Sequence, residues 1–317
     1  MISHFYIARY SFILTAIEKI ILPPYKGSTF RGAFGKALKN SVCYIGLSNC
    51  NECPIKNRCA YIYLFETPPP KNTKMMKKYT STPHPFILIP PLKGKNEYYP
   101  YEKINFELTL IGKAIDYLSF FITAVKRMGR FGIGKGRGKF ELNEVWVNSL
   151  NGKNVKVYRK GEGMLSNVNH KIKFNEIINN YKDTNILNIT FITPTRITFE
   201  GKYSNDIPFH LLFRTLLRRI SLLSYFHLEK ELSHIDFKGL INESKSIKTI
   251  SYNLRYMDWE RYSHRQKRHI NMGGMVGDVT YQGELTKFFP FLVLGEYIHV
   301  GKGTVFGMGK YVIKNNK

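Results

Sequence analysis

Acidic residues are scarce in this chain. Asp and Glu total 23 against 48 Lys and Arg, a formal net charge of +25 over 317 residues. Such a surface repels itself unless a polyanion shares it, which points to nucleic acid ahead of an anionic membrane. Long apolar runs are also missing. The stretch Ser11 to Ile17 is short and bracketed by Arg9 and Glu18, which excludes a membrane span there. It lacks the basic start and small-residue cleavage site of a signal peptide, so the cytoplasm is the expected location, with no membrane partner. Low-complexity sequence is absent and 43% of residues are hydrophobic, which argues against disorder. The length suits two ordinary domains.

Cysteine is confined to one place: Cys43, Cys50, Cys53 and Cys59. A disulfide framework across the chain is therefore excluded. Four thiols in one short segment (43–59) of a cytosolic protein favour tetrahedral zinc or an iron–sulfur cluster over disulfides. The spacing matches no standard ferredoxin run, so the metal's identity stays open. Its expected role is to staple a loop.

What is present follows an order that repeats. His4 to Leu14 reads as a strand, and Thr29 to Val42 as a helix capped by Ser28 or Thr29. Phe86 to Ile89, between prolines, suits an edge strand, and Ile104 to Leu110 alternates as a strand. Ala114 to Met128 is an apolar helix and Phe140 to Val147 a closing strand. Strand, helix, strand, strand, helix, strand is the order of a ferredoxin-like unit. Residues 151–183 are polar and read as a linker or insertion. From 184 to 317 the order recurs: strand Ile186 to Ile192, helix Pro208 to Phe226, strands Ser251 to Tyr262 and Val276 to Tyr281, a short helix in Leu285 to Leu294, and strand Tyr311 to Ile313. The expectation is an α+β chain of two tandem ferredoxin-like (RRM-like) domains, 1–150 and 184–317.

Each half ends on a glycine-rich basic loop followed by a strand: Gly129-Arg-Phe-Gly-Ile-Gly-Lys-Gly-Arg-Gly138 and Gly301-Lys-Gly-Thr-Val-Phe-Gly-Met-Gly309. Glycines let backbone amides approach a phosphate, and the interleaved cations add charge. A Walker loop is excluded, because Gly136 stands where Ser or Thr must hold magnesium and a helix precedes the loop. A dinucleotide fold fails on the same context. The competing reading, a tight turn needing positive backbone angles, accounts for two or three glycines but not for the alternating Lys135, Arg137 and Lys139. Phosphate binding is therefore preferred.

Arg255 to His269 interleaves Arg261, His264, Arg265, Lys267 and Arg268 with Tyr256, Trp259 and Tyr262, preceded by Tyr252. Aromatics for bases and cations for phosphates are what single-stranded RNA requires. A solvated face over core aromatics is the equal alternative. Arg214, Arg218 and Arg219 read as the wet face of their helix. His299, beside the second loop, and His264 become interesting only next to phosphate, where an imidazole can move a proton.

Several segments together resemble one known family. They are Arg31-Gly-Ala-Phe-Gly-Lys-Ala-Leu38 with the cysteine segment after it, Leu110-Ile-Gly-Lys-Ala114, Arg261-Tyr-Ser-His-Arg-Gln-Lys267, Gly273-Gly-Met-Val-Gly277 and His299 to Tyr311. The chain resembles the CRISPR-associated endoribonuclease that excises guide RNAs from the precursor transcript, number six of the Cas series, in the RAMP superfamily. The resemblance implies precursor crRNA as partner, its repeat held across two ferredoxin-like domains, and antiviral defence as setting. It also implies cleavage without a metal: a 2′-hydroxyl attacks the adjacent phosphorus, leaving a 2′,3′-cyclic phosphate and a 5′-hydroxyl. Many members carry a catalytic His on or near the first helix. Here no His lies between His4 and His84, and Tyr25, Arg31, Lys36 and Lys39 occupy that region. The expected catalytic residues are therefore His299 with Lys302, then His264, with Tyr25 as a further participant. The RNA-binding set is Arg31, Lys36, Lys39, Arg130, Lys135, Arg137, Arg261, Arg265, Lys267, Arg268 and Lys310. The alternative is a non-catalytic RNA-binding RAMP subunit, with other Cas proteins of an effector complex as partners. A redox protein built on the cysteines ranks last, since it leaves the basic excess unexplained.

Overall fold

The structure is a computed structural model. It describes every residue except 1, 48, 93, 166–169, 179–183, 264–267 and 315–317. The chain divides into two compact units: Tyr6–Ile172 with Phe226–Leu228, and Met1–Phe5 with Lys173–Tyr225 and Glu229–Lys317.

In the amino-terminal unit the main elements are β1 (Tyr6–Ala16), α1 (Gly27–Val42), β2 (Phe86–Ile89), β3 (Lys103–Ile111), α2 (Leu118–Phe131) and β4 (Phe140–Val147). Then come β5 (Val155–Arg159) and β6 (Gly163–Met164). The strands run in the order β2-β3-β1-β4-β5-β6, and every pair along that path is antiparallel. Tyr10, Phe12 and Leu14 alternate into the core, opposite Leu108, Phe106 and Ile104 of β3. Helix α1 forms because Phe30, Phe34, Ala37, Leu38 and Val42 fall on one buried stripe. Phe34 stacks on Phe121 of α2 at 5.0 Å, and Phe12 on Phe106 at 4.8 Å. Such pairs favour burial of α1 and α2 against the sheet.

Two details differ from expectation. Helix α1 begins at Gly27 with Lys26 at the N-cap and no side-chain cap, so neither Ser28 nor Thr29 serves there. Packing of the apolar stripe outweighs the roughly 1 kcal/mol a cap provides. Residues 151–183, expected as linker or insertion, supply β5 and β6 to the first sheet.

In the carboxyl-terminal unit the elements are β7 (Ile186–Thr195), α3 (Phe209–His227), β8 (Lys248–Met257), β9 (Glu260–Ser263), β10 (Arg268–Asn271), β11 (Gly274–Gln282), α4 (Phe289–Ile298) and β12 (Tyr311–Lys314). Phe226 and His227, at the end of α3, group with the amino-terminal unit. A four-stranded sheet runs β8-β11-β7-β12, antiparallel throughout, and β9 pairs β10 as a separate hairpin. The core is aromatic: Phe213 lies 4.7 Å from Phe288 and 5.6 Å from Phe291. Among the described residues no helix is long and apolar enough to cross a membrane.

Candidate nucleic-acid interface

The first glycine loop follows α2 directly. Gly132, Gly134 and Gly136 all have positive φ, at 74°, 76° and 78°. A Cβ on Gly132 would meet the Arg137 carbonyl oxygen at 1.9 Å, and one on Gly134 the Ile21 carbonyl oxygen at 2.1 Å. Gly138 is closed in the same way by the Lys19 carbonyl oxygen at 2.2 Å. The Lys135 amide donates to Ile21 O at 2.9 Å, binding the loop to the chain that leads into α1. Backbone geometry thus accounts for every glycine of the turn, which removes the count of glycines as an argument for phosphate. The charges are the remaining argument. Lys135 and Arg137 are exposed on either side of Gly136, whose position is open to solvent.

Around that loop α1 and α2 add further cations. Lys36 is exposed, with Nζ 5.9 Å from the Phe131 ring centre, and Arg130 is exposed in the last turn of α2. Lys39, half-buried, sits 5.7 Å from the Tyr61 ring, while Arg31 stacks at 3.9 Å on Phe65. Arg127 donates to the Asn40 carbonyl oxygen. Lys39, Asn40, Cys43, Gly46, Arg127 and Phe131 line an open cleft of about 410 Å³. Arg127 and Phe131 lie outside the set expected from sequence, where they pass as ordinary members of an apolar helix and the loop after it.

The second loop is built differently. Gly301, Gly303, Gly307 and Gly309 have φ between 71° and 82°. A Cβ on Gly309 would lie 1.8 Å from the Val300 carbonyl oxygen. Thr304 to Gly309 are all buried, and Met308 fully so. Lys302 is exposed and Lys310 half-buried, so charge reaches the surface only at the loop's two ends. The expectation of matched cationic cradles is corrected here: one loop faces solvent, and the other packs into its own unit because Val305, Phe306 and Met308 are apolar.

His299 follows the same correction. It is 1% exposed, and its Nδ1 lies 3.0 Å from Met308 O, inside the second loop. An imidazole placed there orders the loop and is closed off from solvent. Lys302 is held through its amide, which donates to Arg196 O at 2.9 Å, leaving the ammonium outside. Tyr25 is buried as well, and burial pushes its phenol well above the usual range. Its neighbour Lys26 is buried with Nζ 3.0 Å from Asn96 Oδ1, and burial holds its pKa below the ordinary lysine value. His264, Arg265 and Lys267 lie outside the described residues.

Arg261 rests 5.0 Å over Phe306, joining the β9–β10 hairpin to the second loop, and burial lowers its pKa. Arg268 is exposed on β10. Tyr252 and Tyr256, 69% and 52% exposed, stand on edge strand β8. Arg219, read from sequence as wet, is 8% exposed and donates through Nε to Ile298 O at 2.9 Å. Burial pulls its pKa down to about 9, still cationic at neutral pH. Only the fold reveals this, since Arg214 and Arg218, on the same helix, are exposed.

The cysteine segment does not gather as expected. Cys53 and Cys59 close short turns, their amides donating to Cys50 O and Lys56 O at 3.3 and 3.4 Å. All four thiols are half-buried and in no disulfide. Among the described residues no group of three or more His, Cys, Asp or Glu is placed to hold a metal ion. Burial, partly opposed by Lys39, raises the Cys50 thiol's pKa.

Comparison with known proteins places a family domain in each half of the chain. Residues 189–311 match the family model described as CRISPR-associated endoribonuclease Cas6, and residues 5–170 match one described as an N-terminal domain, AF_1859_N. Residues 189–311 thus form a Cas6-family domain. An uncharacterized protein of Archaeoglobus fulgidus is 25% identical over 301 residues, covering 93% of each chain. A Thermus thermophilus Cas6 product complex is 16% identical with a TM-score of 0.58, covering 97% of this chain and 100% of that one. A partial Cas6-RT-Cas1–Cas2 complex is 14% identical with a TM-score of 0.58, covering 99% of this chain and 47% of that one. The structural likeness to Cas6 proteins shows a shared mixed α/β fold with antiparallel sheets.

Proposed function

We propose that this chain is a CRISPR RNA-processing endoribonuclease that binds repeat RNA in a precursor transcript and cuts it without a metal. The observation that carries the reading is the match of residues 189–311 to the Cas6 endoribonuclease family. The +25 charge and the exposed Lys135 and Arg137 support it. We read each unit as ferredoxin-like, because the sheet orders β2-β3-β1-β4 and β8-β11-β7-β12 are the same order when the strands of each unit are numbered alike.

The chemistry is attack of a ribose 2′-hydroxyl on the adjacent phosphorus. The 2′ O–P bond forms, the P–O5′ bond breaks, and a 2′,3′-cyclic phosphate and a 5′-hydroxyl result. With His299 buried, proton transfer falls to His264 or to the amines and phenols around α1, and the cations of the first loop orient the phosphate in line. A second reading, a non-catalytic RNA-binding RAMP subunit, is favoured by that burial and by the lack of a His between His4 and His84. Other Cas proteins are proposed partners in either case, as the Cas6-RT-Cas1–Cas2 assembly suggests.

One assay separates the two. Labelled repeat RNA is incubated with the pure protein in EDTA and its ends are examined. A single cut ending in a cyclic phosphate is the expected result. Tight binding with no cut moves the chain to the second reading. Loss of cutting in His264→Ala with affinity retained assigns proton transfer to that side chain, and retained cutting assigns it to the α1 region.

A further inference from the structure

The cleft beside the first glycine loop combines features that a bare cationic surface does not. Its walls come from the last turn of α1, the last two turns of α2 and the start of the cysteine segment. Helix carboxyl ends favour cations, and one per end satisfies that demand. The last turns of α1 and α2 hold one basic residue each, Lys39 and Arg130, and Lys36 and Arg127 add two further cations about a turn behind them. Helix-end electrostatics alone leaves this excess unexplained. Phe131 adds a large ring at the cleft, 42% exposed and the last residue of α2, where a side chain serving only the core is buried like Phe121 and Met128 on the same helix. A lone exposed Phe is ordinary on any surface. A Phe in the wall of a cationic cleft, with Lys36 Nζ 5.9 Å from its ring centre, is an aromatic platform beside charges that suit a phosphate.

We propose that this cleft takes one unpaired nucleotide of the bound RNA, its base stacked on Phe131 and its phosphate held by Lys39 and Arg127. This rests on the RNA reading above. Phe131 is followed at once by the turn at Gly132, so the next exposed cations along the chain, Lys135 and Arg137, receive the neighbouring phosphates. The cleft's volume of about 410 Å³ leaves room for a base and its sugar, and its open mouth lets the strand enter and leave. Stacking is tolerant of base identity, so the site holds the strand in register without reading its sequence.

The test uses the full chain, the labelled repeat RNA of the assay above, and copies of that RNA with one abasic site at successive positions. Phe131→Ala should bind about tenfold more weakly, and Phe131→Trp should restore affinity. At one position the abasic RNA should show the same loss with wild-type protein and no further loss with Phe131→Ala. The indole introduced by Phe131→Trp supplies a second readout, its emission taken as the difference from wild type. That emission should be quenched by the intact RNA and not by the abasic copy, a result that holds even if the alanine variant is unstable. Wild-type binding with unchanged affinity in Phe131→Ala, or losses that add at every position, overturns the nucleotide site alone. Failure of the wild type to bind any repeat RNA overturns the RNA reading itself.

Discussion

The two glycine-rich loops share the string Phe-Gly-Ile/Met-Gly-Lys, yet they stand in opposite surroundings. Around Gly136 the first loop carries Lys135 and Arg137 into solvent. Between Gly303 and Gly309 the second carries Val305, Phe306 and Met308 into the core, with His299 ordering it from below. In both, most of the glycines have positive φ, and Gly132, Gly134, Gly301 and Gly309 also pack against backbone. Ile133 and Met308, between the paired glycines of the shared string, are both buried; what differs is the rest of each loop, exposed Lys135 and Arg137 in the first against buried Val305 and Phe306 in the second. Cations flanking the open glycine keep the first loop in solvent, and large apolar residues make the second a structural clasp. A glycine pattern is therefore a statement about chain path, and the side chains at the alternate positions decide what the path is for.

The sharpest way to break this comparison is to add a single methyl group to each loop. Gly309→Ala places Cβ against the Val300 carbonyl at 1.8 Å, in a residue with φ 71°. It should cost roughly 3 kcal/mol or more of stability. Gly136→Ala meets nothing within 4 Å and bears only its positive φ, about 1 kcal/mol. Urea melts of the two variants compare them, and equal losses would mean that the second loop is no more tightly packed than the first.

Removing charge should act the other way round. Lys135→Ala with Arg137→Ala should weaken RNA binding about tenfold and flatten the log-log salt dependence by about 1.4, at roughly 0.7 per phosphate on a single strand. Thermal stability should stay put, because both side chains are exposed. Lys302→Ala, the one exposed cation within the second loop, should flatten the slope by about 0.7 at most. A double variant that binds normally would leave the first loop with no role in gripping RNA.

The smallest effect compares the two units under acid. Burial holds His4 and His210 of the carboxyl-terminal unit, and His170 of the amino-terminal one, below the ordinary histidine pKa of 6.5. The unfolded chain therefore binds more protons than the folded one just below pH 6.5. Stability is full above that value and falls as pH drops toward the lowered folded-state pKa values. Melting followed from about pH 7.5 to about pH 5.5 should show a modest decline, with hydrogen exchange rising more in the unit that holds His4 and His210. A rise in melting temperature over that range would contradict the direction of these shifts.

Much of the fold was legible in advance. Alternation in Ile104 to Leu110 and the stripe from Phe30 to Val42 placed β3 and α1 within a few residues, because burial on one face imposes a period. Phe86 to Ile89 does lie at the edge of its sheet. The site was legible only in part. Arg219 shares its helix with two exposed arginines, and nothing local says that it alone meets the Ile298 carbonyl. His299 looked available because it precedes a glycine loop, and its burial depends on how that loop folds back. The cysteine spacing suggested convergence, yet successive short turns carry the segment along a different path.

By itself the sequence determined the charge, the repeated order of strands and helices, and the positions where the chain must turn with positive φ. These are local or additive properties, set by side-chain volume, alternation and the absence of a Cβ. Which loop faces water, which arginine is buried, and whether Phe131, Lys39 and Arg127 share one cleft were decided only by tertiary packing. Those outcomes depend on which surfaces each unit needs to cover, and residues distant in sequence make that choice together.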